Sequence, residues 1–360
     1  MSVRIRALGI GLGLIAVAAG CGSNHRSTSS HAAYLTLPGP QNQILGYGID
    51  DSSGALSALP GSPYKIFSNT PSAIIVSPSK QFAYVANAGD NTISLFSIGS
   101  SGALTEVPPR TPTQLAPGPL AIDPGGAFLF VGNVNSNTIS VYSINSSAGT
   151  LTEIAGSPFA SGSPVHLALT PSGKRLYVAQ ANANSIAAFD VGSSGALTPV
   201  AGSPFPSNLD PTWVGIDPAG RFLYTSNFAG TTITGFTISS TGALAPIVGS
   251  PFTAGTHPIS VTFDTTGKYL YVANFGSGNL SAFSVDGNTG IPTQITGSPY
   301  TTGTGPLFVA ADPSGKFLYV GNQGSANVAG FSIDDSTGAL KATSQNTIST
   351  GAISSMFITK

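Results

Sequence analysis

The sequence predicts an all-β fold, a seven-bladed β-propeller with four antiparallel strands in each blade. Three observations lead to it: a Tyr-Val-Ala-Asn phrase that recurs along the 360 residues every 46 to 48 residues, a glycine phrase with the same period, and chain ends that complement each other. The first phrase begins at Tyr84, Phe130, Tyr177, Tyr224, Tyr271 and Tyr319. The second contains Gly54, Gly102, Gly149, Gly195, Gly242, Gly290 and Gly338. Self-similarity of this length is typical of propellers and solenoids.

Each repeat offers four strands and three tight turns, without a helix. In the copy that contains Trp213, the runs rich in Val, Ile, Phe, Tyr and Thr are residues 213–216, 222–226, 232–238 and 244–248. The first turn, Asp217-Pro218-Ala219-Gly220, suits type I geometry because Pro presets φ and Gly accepts the left-handed position that follows. A lone four-stranded sheet exposes its edges and faces, so it must pack against neighbouring copies to be stable.

The chain ends predict how the ring closes. The first copy of the phrase, Ala33-Tyr34-Leu35-Thr36, has no inner strand before it, whereas residues 352–359 have the pattern of an inner strand with nothing after it. We expect the C-terminal strand to pair beside the N-terminal strands and complete one blade, which removes the open ends of a solenoid. An open solenoid with capped ends is the alternative.

The N-terminus is typical of an export signal. Arginines precede an apolar run too short to span a bilayer comfortably, and small residues precede Cys21, the only cysteine. Ala18-Ala19-Gly20-Cys21 resembles a bacterial lipobox, although Ala18 stands where Leu is preferred. We predict a lipoprotein signal peptide over 1–20, lipidation of Cys21, a flexible tether over 21–31, the propeller over 32–360, and anchorage in the cell envelope, in the periplasm or at the surface. An ordinary secretory signal is the alternative.

Composition excludes several classes of partner and cofactor. With 8% charged residues and a net charge of −1, the chain has no basic patch for nucleic acid. No close cluster of His, Cys, Asp or Glu indicates a metal, no Gly-rich loop indicates a nucleotide, and one tryptophan is too few for a quinone-cofactor propeller. We expect no cofactor and no metal. The expected partner is a small molecule or an envelope protein, with membrane contact only through the N-terminal lipid.

Residues that do not recur between repeats mark a candidate site. One rim of the ring, the first-turn rim, is expected to carry the first turns and most basic residues. The opposite rim, the Asn-rich rim, carries the loops after each phrase and the connections into the inner strands. There the unrepeated residues gather in three consecutive blades: His166, Gln180, Asp210, Trp213 and His257. They are the candidate ligand-binding residues. The alternative is structural, with Trp213 plugging the channel and Asp210 capping a turn.

The Gly-Ser-Pro-Phe and Gly-Ser-Pro-Tyr segments supply a further set of aromatic residues on the Asn-rich rim. They are Tyr64, Phe159, Phe205, Phe252 and Tyr300. These rings either contact a ligand or pack between blades, and we favour packing.

The segments LYVAN (270–274) and GALTPVAGSPF (195–205) resemble those of YVTN-type propellers and, more closely, of the lactonase family, which includes 6-phosphogluconolactonase-like proteins and fungal muconate cycloisomerases. The resemblance covers residues 32–360. It implies lactone hydrolysis by a His after Pro on one inner strand, an Arg-His pair on the next and a Glu after the following phrase. The matching positions here are Leu120, Val165-His166 and Ala181, so the resemblance carries over only His166.

Three functional hypotheses remain. The leading one is a binding module without catalysis, because the blades are intact while most family residues are missing. The alternative is a 6-phosphogluconolactonase-like lactone hydrolase with a rearranged site, in which His166 or His257 is the base and Asp210 its orienting partner. The third is structural display at the cell surface. A phosphorylated substrate is disfavoured because the Asn-rich rim has no cluster of positive charge, and only Lys65 and Arg110 approach it from outer strands.

Overall fold

The structure, a computed structural model, describes residues 31–359. They form seven antiparallel sheets whose inner strands contact one another in a closed ring, which confirms the predicted seven-bladed propeller. Blade 1 comprises residues 31–65 and the C-terminal strand, and blades 2 to 7 span residues 71–112, 117–160, 164–206, 211–253, 258–301 and 306–349. The first strand starts one residue before the expected propeller boundary. The predicted signal peptide, Cys21 and the tether as far as residue 30 lie outside the described residues.

The strands fall into four classes by distance from the channel. The inner strands of blades 1 to 7 are Ser355–Ile358, Pro71–Val76, Pro117–Ile122, Pro164–Leu169, Pro211–Ile216, Pro258–Phe263 and Pro306–Ala311. The second strands are His31–Leu37, Phe82–Asn87, Phe128–Asn133, Arg175–Gln180, Phe222–Asn227, Tyr269–Asn274 and Phe317–Asn322. The third strands are Gln43–Ile49, Thr92–Ile98, Thr138–Ile144, Ser185–Val191, Thr232–Ile238, Asn279–Val285 and Asn327–Ile333. A single 3₁₀ turn, Ala181–Ala183, follows the phrase of blade 4 within the described chain.

The outer strands are less regular than the repeat predicts. In blades 2 and 7 they are continuous, as Leu104–Pro112 and Leu340–Ser349. In the others each is split into two short pieces: Leu56–Ala58 and Tyr64–Lys65, Leu151–Glu153 and Phe159–Ala160, Leu197–Pro199 and Phe205–Pro206, Leu244–Pro246 and Phe252–Thr253, Pro292–Gln294 and Tyr300–Thr301. The expected strand over 244–248 therefore ends early, and Val248 lies in the intervening loop with 82% of its surface exposed.

Ring closure occurs as predicted. The C-terminal strand pairs antiparallel with the first strand, with Tyr34 opposite Phe357 and Thr36 opposite Ser355. The Ser355 hydroxyl bonds to Thr36 at 2.9 Å and accepts the Ile74 N–H of blade 2 at 3.0 Å. The last strand therefore joins blade 1 to its neighbour as well as completing it.

Tyrosine hydroxyl groups tie neighbouring blades together. In six blades the phrase starts with a buried tyrosine that donates its hydroxyl to the carbonyl of the glycine in the third turn, the turn between third and outer strands, of the next blade. The pairs are Tyr34 to Gly102, Tyr84 to Gly149, Tyr177 to Gly242, Tyr224 to Gly290, Tyr271 to Gly338 and Tyr319 to Gly54. Blade 3 has Phe130 at this position, so no tyrosine hydroxyl reaches Gly195 of blade 4. Buried residues of neighbouring blades pack together in the hydrophobic core. Tyrosine hydroxyl bonds cross six of the seven boundaries between blades.

Candidate functional site

One position on the inner strands differs from blade to blade. A β-bulge follows the first residue of the inner strand in blades 2, 4, 5, 6 and 7, as between Pro211 and Trp213. The residue after the bulge, the third position, is Ser355, Ala73, Pro119, His166, Trp213, Ser260 and Phe308 in blades 1 to 7. Two of the predicted site residues, His166 and Trp213, occupy this position in adjacent blades.

Trp213 reaches across the channel. Its ring stacks on the His166 ring of blade 4, with centroids 3.7 Å apart and planes at 25°. On its other side it meets the edge of Phe308 of blade 7, with centroids 5.7 Å apart. The indole is therefore held between His166 of blade 4 and Phe308 of blade 7.

One of the two ring nitrogens of His166 already accepts a hydrogen bond. The Val214 N–H of blade 5 donates to His166 Nδ1 at 3.3 Å, so this nitrogen carries no proton and the proton of the neutral ring lies on Nε2. Burial against Trp213 disfavours the charged ring and lowers the pKa of His166 to about 3. Near neutral pH His166 is thus an Nε2–H donor rather than a free base. Hydroxyl groups make the equivalent bond elsewhere, with Ser260 Oγ accepting from Val309 at 3.3 Å.

Asp210 and His257 occupy the same repeat position, the residue before the inner-strand proline. Both have left-handed backbone, with φ of 55° and 49°. Asp210 N–H donates to the Asn184 side chain at 2.8 Å, and its carbonyl accepts the Phe228 N–H at 2.9 Å. Its carboxylate is partly buried, which raises the pKa of Asp210 above its usual value. A carboxylate held in this way is a stronger base than an exposed one.

His257 forms an aromatic cluster with two residues that the sequence analysis did not single out. Its exposed ring lies 5.2 Å from the ring of Phe228 at 30°, and Phe228 in turn lies 6.1 Å from Phe275. Both phenylalanines directly follow the last residue of the phrase, where the other blades have Pro38, Ala88, Val134, Ala181 and Gln323. This departure from the repeat is the feature of the sequence that could have identified Phe228 and Phe275 as candidate site residues. Because Phe228 also bonds to Asp210, the acid and the aromatic cluster are contiguous on the Asn-rich rim.

Gln180 performs the role of the asparagines that it replaces. It is buried, its amide N–H donates to Ser161 at 3.4 Å, and its amide oxygen accepts the Ser185 hydroxyl at 2.8 Å. Asn87 also bonds to the third strand of its own hairpin, but there the amide N–H group donates to the Thr92 and Ser94 hydroxyls. The Gln180 side chain therefore stabilises a loop next to the candidate site, with both ends of its amide engaged.

The family positions and the proposed His–Asp pair are placed as follows. Leu120 lies on an inner strand and faces the channel, while Ala181 begins the 3₁₀ turn on the Asn-rich rim. Among residues 31–359, no hydrogen bond or ion pair links the Asp210 carboxylate to His166 or His257.

The outer aromatic residues pack inside or against blade cores, as Tyr64 and Phe205 do, which agrees with the packing interpretation.

A cavity lies on the other side of Trp213. It has a volume of about 860 Å³ and extends from Trp213 to the first turns of six blades, five of which contribute a proline: Pro78, Pro124, Pro171, Pro218 and Pro313. We call it the funnel, and Trp213 forms its floor. His166, Asp210 and His257 are not part of its wall, so the channel has two separate faces.

Two classes of feature are absent from the described chain. Residues 31–359 contain no group of three or more His, Cys, Asp or Glu side chains that could hold a metal ion. In the same residues, no helix is long and apolar enough to cross a bilayer.

Comparison with known proteins identifies the family. The family model described as lactonase, 7-bladed β-propeller, matches residues 41–168, 157–258 and 246–357. The chain belongs to this lactonase family. No curated protein matches it in sequence.

Solved structures similar to this lactonase-family chain share its fold at low sequence identity. A Bacteroides fragilis protein, provisionally named a 6-phosphogluconolactonase, has a TM-score of 0.81 and 21% identity over 94% of this chain and 100% of its own. A Bacteroides uniformis protein with the same provisional name has a TM-score of 0.80 and 19% identity over 92% and 100%. The Pseudomonas aeruginosa periplasmic gluconolactonase has a TM-score of 0.77 and 18% identity over 92% and 99%.

Proposed function

We propose that the protein is an exported lactone hydrolase that acts on an uncharged sugar lactone at the Asn-rich rim. The observation that carries this proposal is the family match, which extends from residue 41 to residue 357. It favours hydrolysis over binding without catalysis, although most of the family's catalytic positions are substituted here. Catalysis then depends on the unrepeated residues around Asp210.

Asp210 is the proposed general base. Lactone hydrolysis needs a group that takes a proton from the attacking water and a donor that stabilises the oxyanion formed at the carbonyl. The raised pKa of Asp210 strengthens it as a base. The Nε2–H of His166 on the adjacent blade supplies a neutral donor. The rings of Phe228 and His257 give the sugar an aromatic face on which to stack.

The proposed substrate carries no phosphate. Recognition of a phosphate calls for Arg, Lys or a nest of backbone donors. The positively charged side chains near the first turns, including Arg175 and Arg221, make their ion pairs on the opposite rim. An uncharged lactone also suits an exported protein, and the similarity to a periplasmic gluconolactonase supports that substrate class. Export by the N-terminal signal and anchorage through a lipid on Cys21 remain part of this proposal.

The test is hydrolysis of glucono-1,5-lactone and of its 6-phosphate by protein that starts at Gly22. We expect turnover of the uncharged lactone, and a loss of about 100-fold or more in Asp210→Asn, the usual contribution of a general base. Asn keeps the left-handed backbone without strain. Thr70→Asn, at the same repeat position of blade 2 with φ of 53°, is the matched control and should retain activity. Equal loss in both variants, or none in Asp210→Asn, would contradict the assignment.

A second candidate function is binding without catalysis. The observation that favours it is the state of His166, whose Nδ1 is occupied and whose pKa is too low for a base at neutral pH. This function predicts no turnover of any lactone by the wild-type protein, together with saturable binding of a hydrolysis-resistant sugar lactam in calorimetry. Turnover that depends on Asp210 would exclude it.

A further inference from the structure

The funnel contains a second residue that departs from the repeat. The first turns of blades 3 to 7 carry a glycine at the same position, with φ of 70° to 76°: Gly126, Gly173, Gly220, Gly267 and Gly315. Blade 2 has Lys80 there, in the left-handed conformation with φ of 58°. A long side chain is disfavoured in this conformation, in which glycine is free of strain. Local turn geometry therefore does not explain Lys80.

Lys80 lies where its charge can serve a ligand. It is the one positively charged residue in the funnel wall, at the mouth, whereas the unique Trp213 is at the floor. Among residues 31–359, no carboxylate lies within ion-pairing distance of the Lys80 ammonium group. Basic residues of the other first turns, such as Lys174, follow the glycine position and are not part of this wall.

The acidic residues at the mouth are already engaged. Asp123 accepts the N–H groups of Phe128 and Gly125, at 2.5 Å and 3.0 Å. Asp264 is buried and accepts the Tyr269 and Thr266 N–H groups at 2.8 Å and 3.0 Å. Both carboxylates thus hold their own turns together, and Lys80 is the one residue in the wall that can form an ion pair with an anionic ligand.

The funnel wall is more apolar than polar. Leu120, Leu169, Ile216, Phe263 and Phe357 line it from five different blades. The cavity volume of about 860 Å³ is within the range of small-molecule sites. From Trp213 to the first turn at Asp217 the inner strand advances by about 13 Å. An extended hydrocarbon chain of about ten carbons spans that depth, from carbon–carbon bonds of about 1.5 Å.

We propose that the funnel is a binding site for an amphipathic monocarboxylate, a medium-chain fatty acid, whose carboxylate pairs with Lys80 and whose terminal methyl group lies against Trp213. The site is on the opposite face from the proposed hydrolytic residues, so it does not depend on lactone hydrolysis. The two faces are separated by the stacked rings of Trp213 and His166.

The test uses Trp213 as an internal reporter, since it is the only tryptophan of the chain. Protein starting at Gly22 is titrated with decanoic acid brominated at its terminal carbon, because the bromine quenches an indole that it contacts. We expect saturable quenching of Trp213 fluorescence. The alcohol of the same length, also brominated at its end, should bind about three- to five-fold more weakly, as expected for loss of one partly exposed ion pair.

Two variants and one control complete the test. Lys80→Gly installs the residue of the other first turns, so it should fold normally and weaken binding of the acid about three- to five-fold without changing binding of the alcohol. Leu169→Asp places a charge in the wall and should abolish quenching, whereas Val248→Asp, on an exposed outer loop, should not. Absence of saturable quenching in the wild-type protein, or equal affinity of Lys80→Gly and wild type for the acid, would overturn the proposal.

Discussion

The hydrogen bonds from tyrosine hydroxyl groups to the next blade can be tested by removing one of these hydroxyl groups and measuring the stability of the protein. Tyr177 is fully buried, and its hydroxyl donates to the Gly242 carbonyl of the next blade at 2.8 Å. Tyr177→Phe leaves the ring in place and leaves that carbonyl without a partner. A buried polar group that loses its partner costs about 1 to 3 kcal/mol. We therefore expect the free energy of unfolding to fall by about 1.5 kcal/mol.

The measurement is the midpoint of urea unfolding at neutral pH. With a slope near 3 kcal/mol per molar urea for a chain of this size, the midpoint should fall by about 0.5 M without a change in slope. Phe130 supplies the matched control, because blade 3 naturally lacks the hydroxyl. Phe130→Tyr should leave the midpoint unchanged or raise it. An unchanged midpoint in Tyr177→Phe would refute the idea that these bonds stabilise the ring.

The remaining predictions concern single polar groups. Burial raises the pKa of Asp210 because it disfavours the charged carboxylate in the folded protein. The contribution of Asp210 to the stability of the folded protein is therefore most favourable below the ordinary Asp pKa of about 3.9, and it is lost as the pH rises through the raised value. Asp210→Asn should accordingly raise the urea midpoint at neutral pH, with the difference from wild type vanishing in acid. His166→Ala should lower stability by about 1 to 3 kcal/mol by orphaning the Val214 N–H, and His166→Asn, which restores an acceptor, should recover most of it in the same assay. Ser355→Ala should cost a similar amount, since Ile74 N–H loses its acceptor, and would be followed by thermal unfolding. Burial raises the pKa of Tyr177 to about 12, so wild type should lose stability relative to Tyr177→Phe as the pH rises from about 10 to about 12.

The strand order and the ring closure could be predicted because they follow from the repeat itself. The phrase at Tyr34 without a preceding inner strand, and residues 352–359 without a following one, permit one arrangement that leaves no open edge. The split of the outer strand was not predictable in this way. Val248 is of a residue type that favours strands, yet it lies in the loop between the two short pieces of the outer strand, where it is exposed.

The candidate site was predictable only in part. The search for residues that do not recur between repeats identified His166 and Trp213, whose rings stack in the structure. It did not reveal that His166 Nδ1 is bonded to Val214, because that contact joins adjacent blades across 48 residues of sequence. It also passed over Lys80, since a lysine near a turn is unremarkable until the backbone conformation of that turn is known.

The closure of blade 1 has a consequence for the order in which the protein can fold. The Ala32 N–H bonds to the Thr359 hydroxyl, a separation of 327 residues. Bringing together ends so far apart carries a chain-entropy penalty of about 5 kcal/mol relative to a contact between neighbours. Blades 2 to 6 can form while the chain is still being synthesised, but the N-terminal strands stay without an inner partner until the C-terminal strand follows. During that interval the open edge can accept the C-terminal strand of another molecule, so folding at high protein concentration favours intertwined dimers and folding at low concentration favours the closed ring.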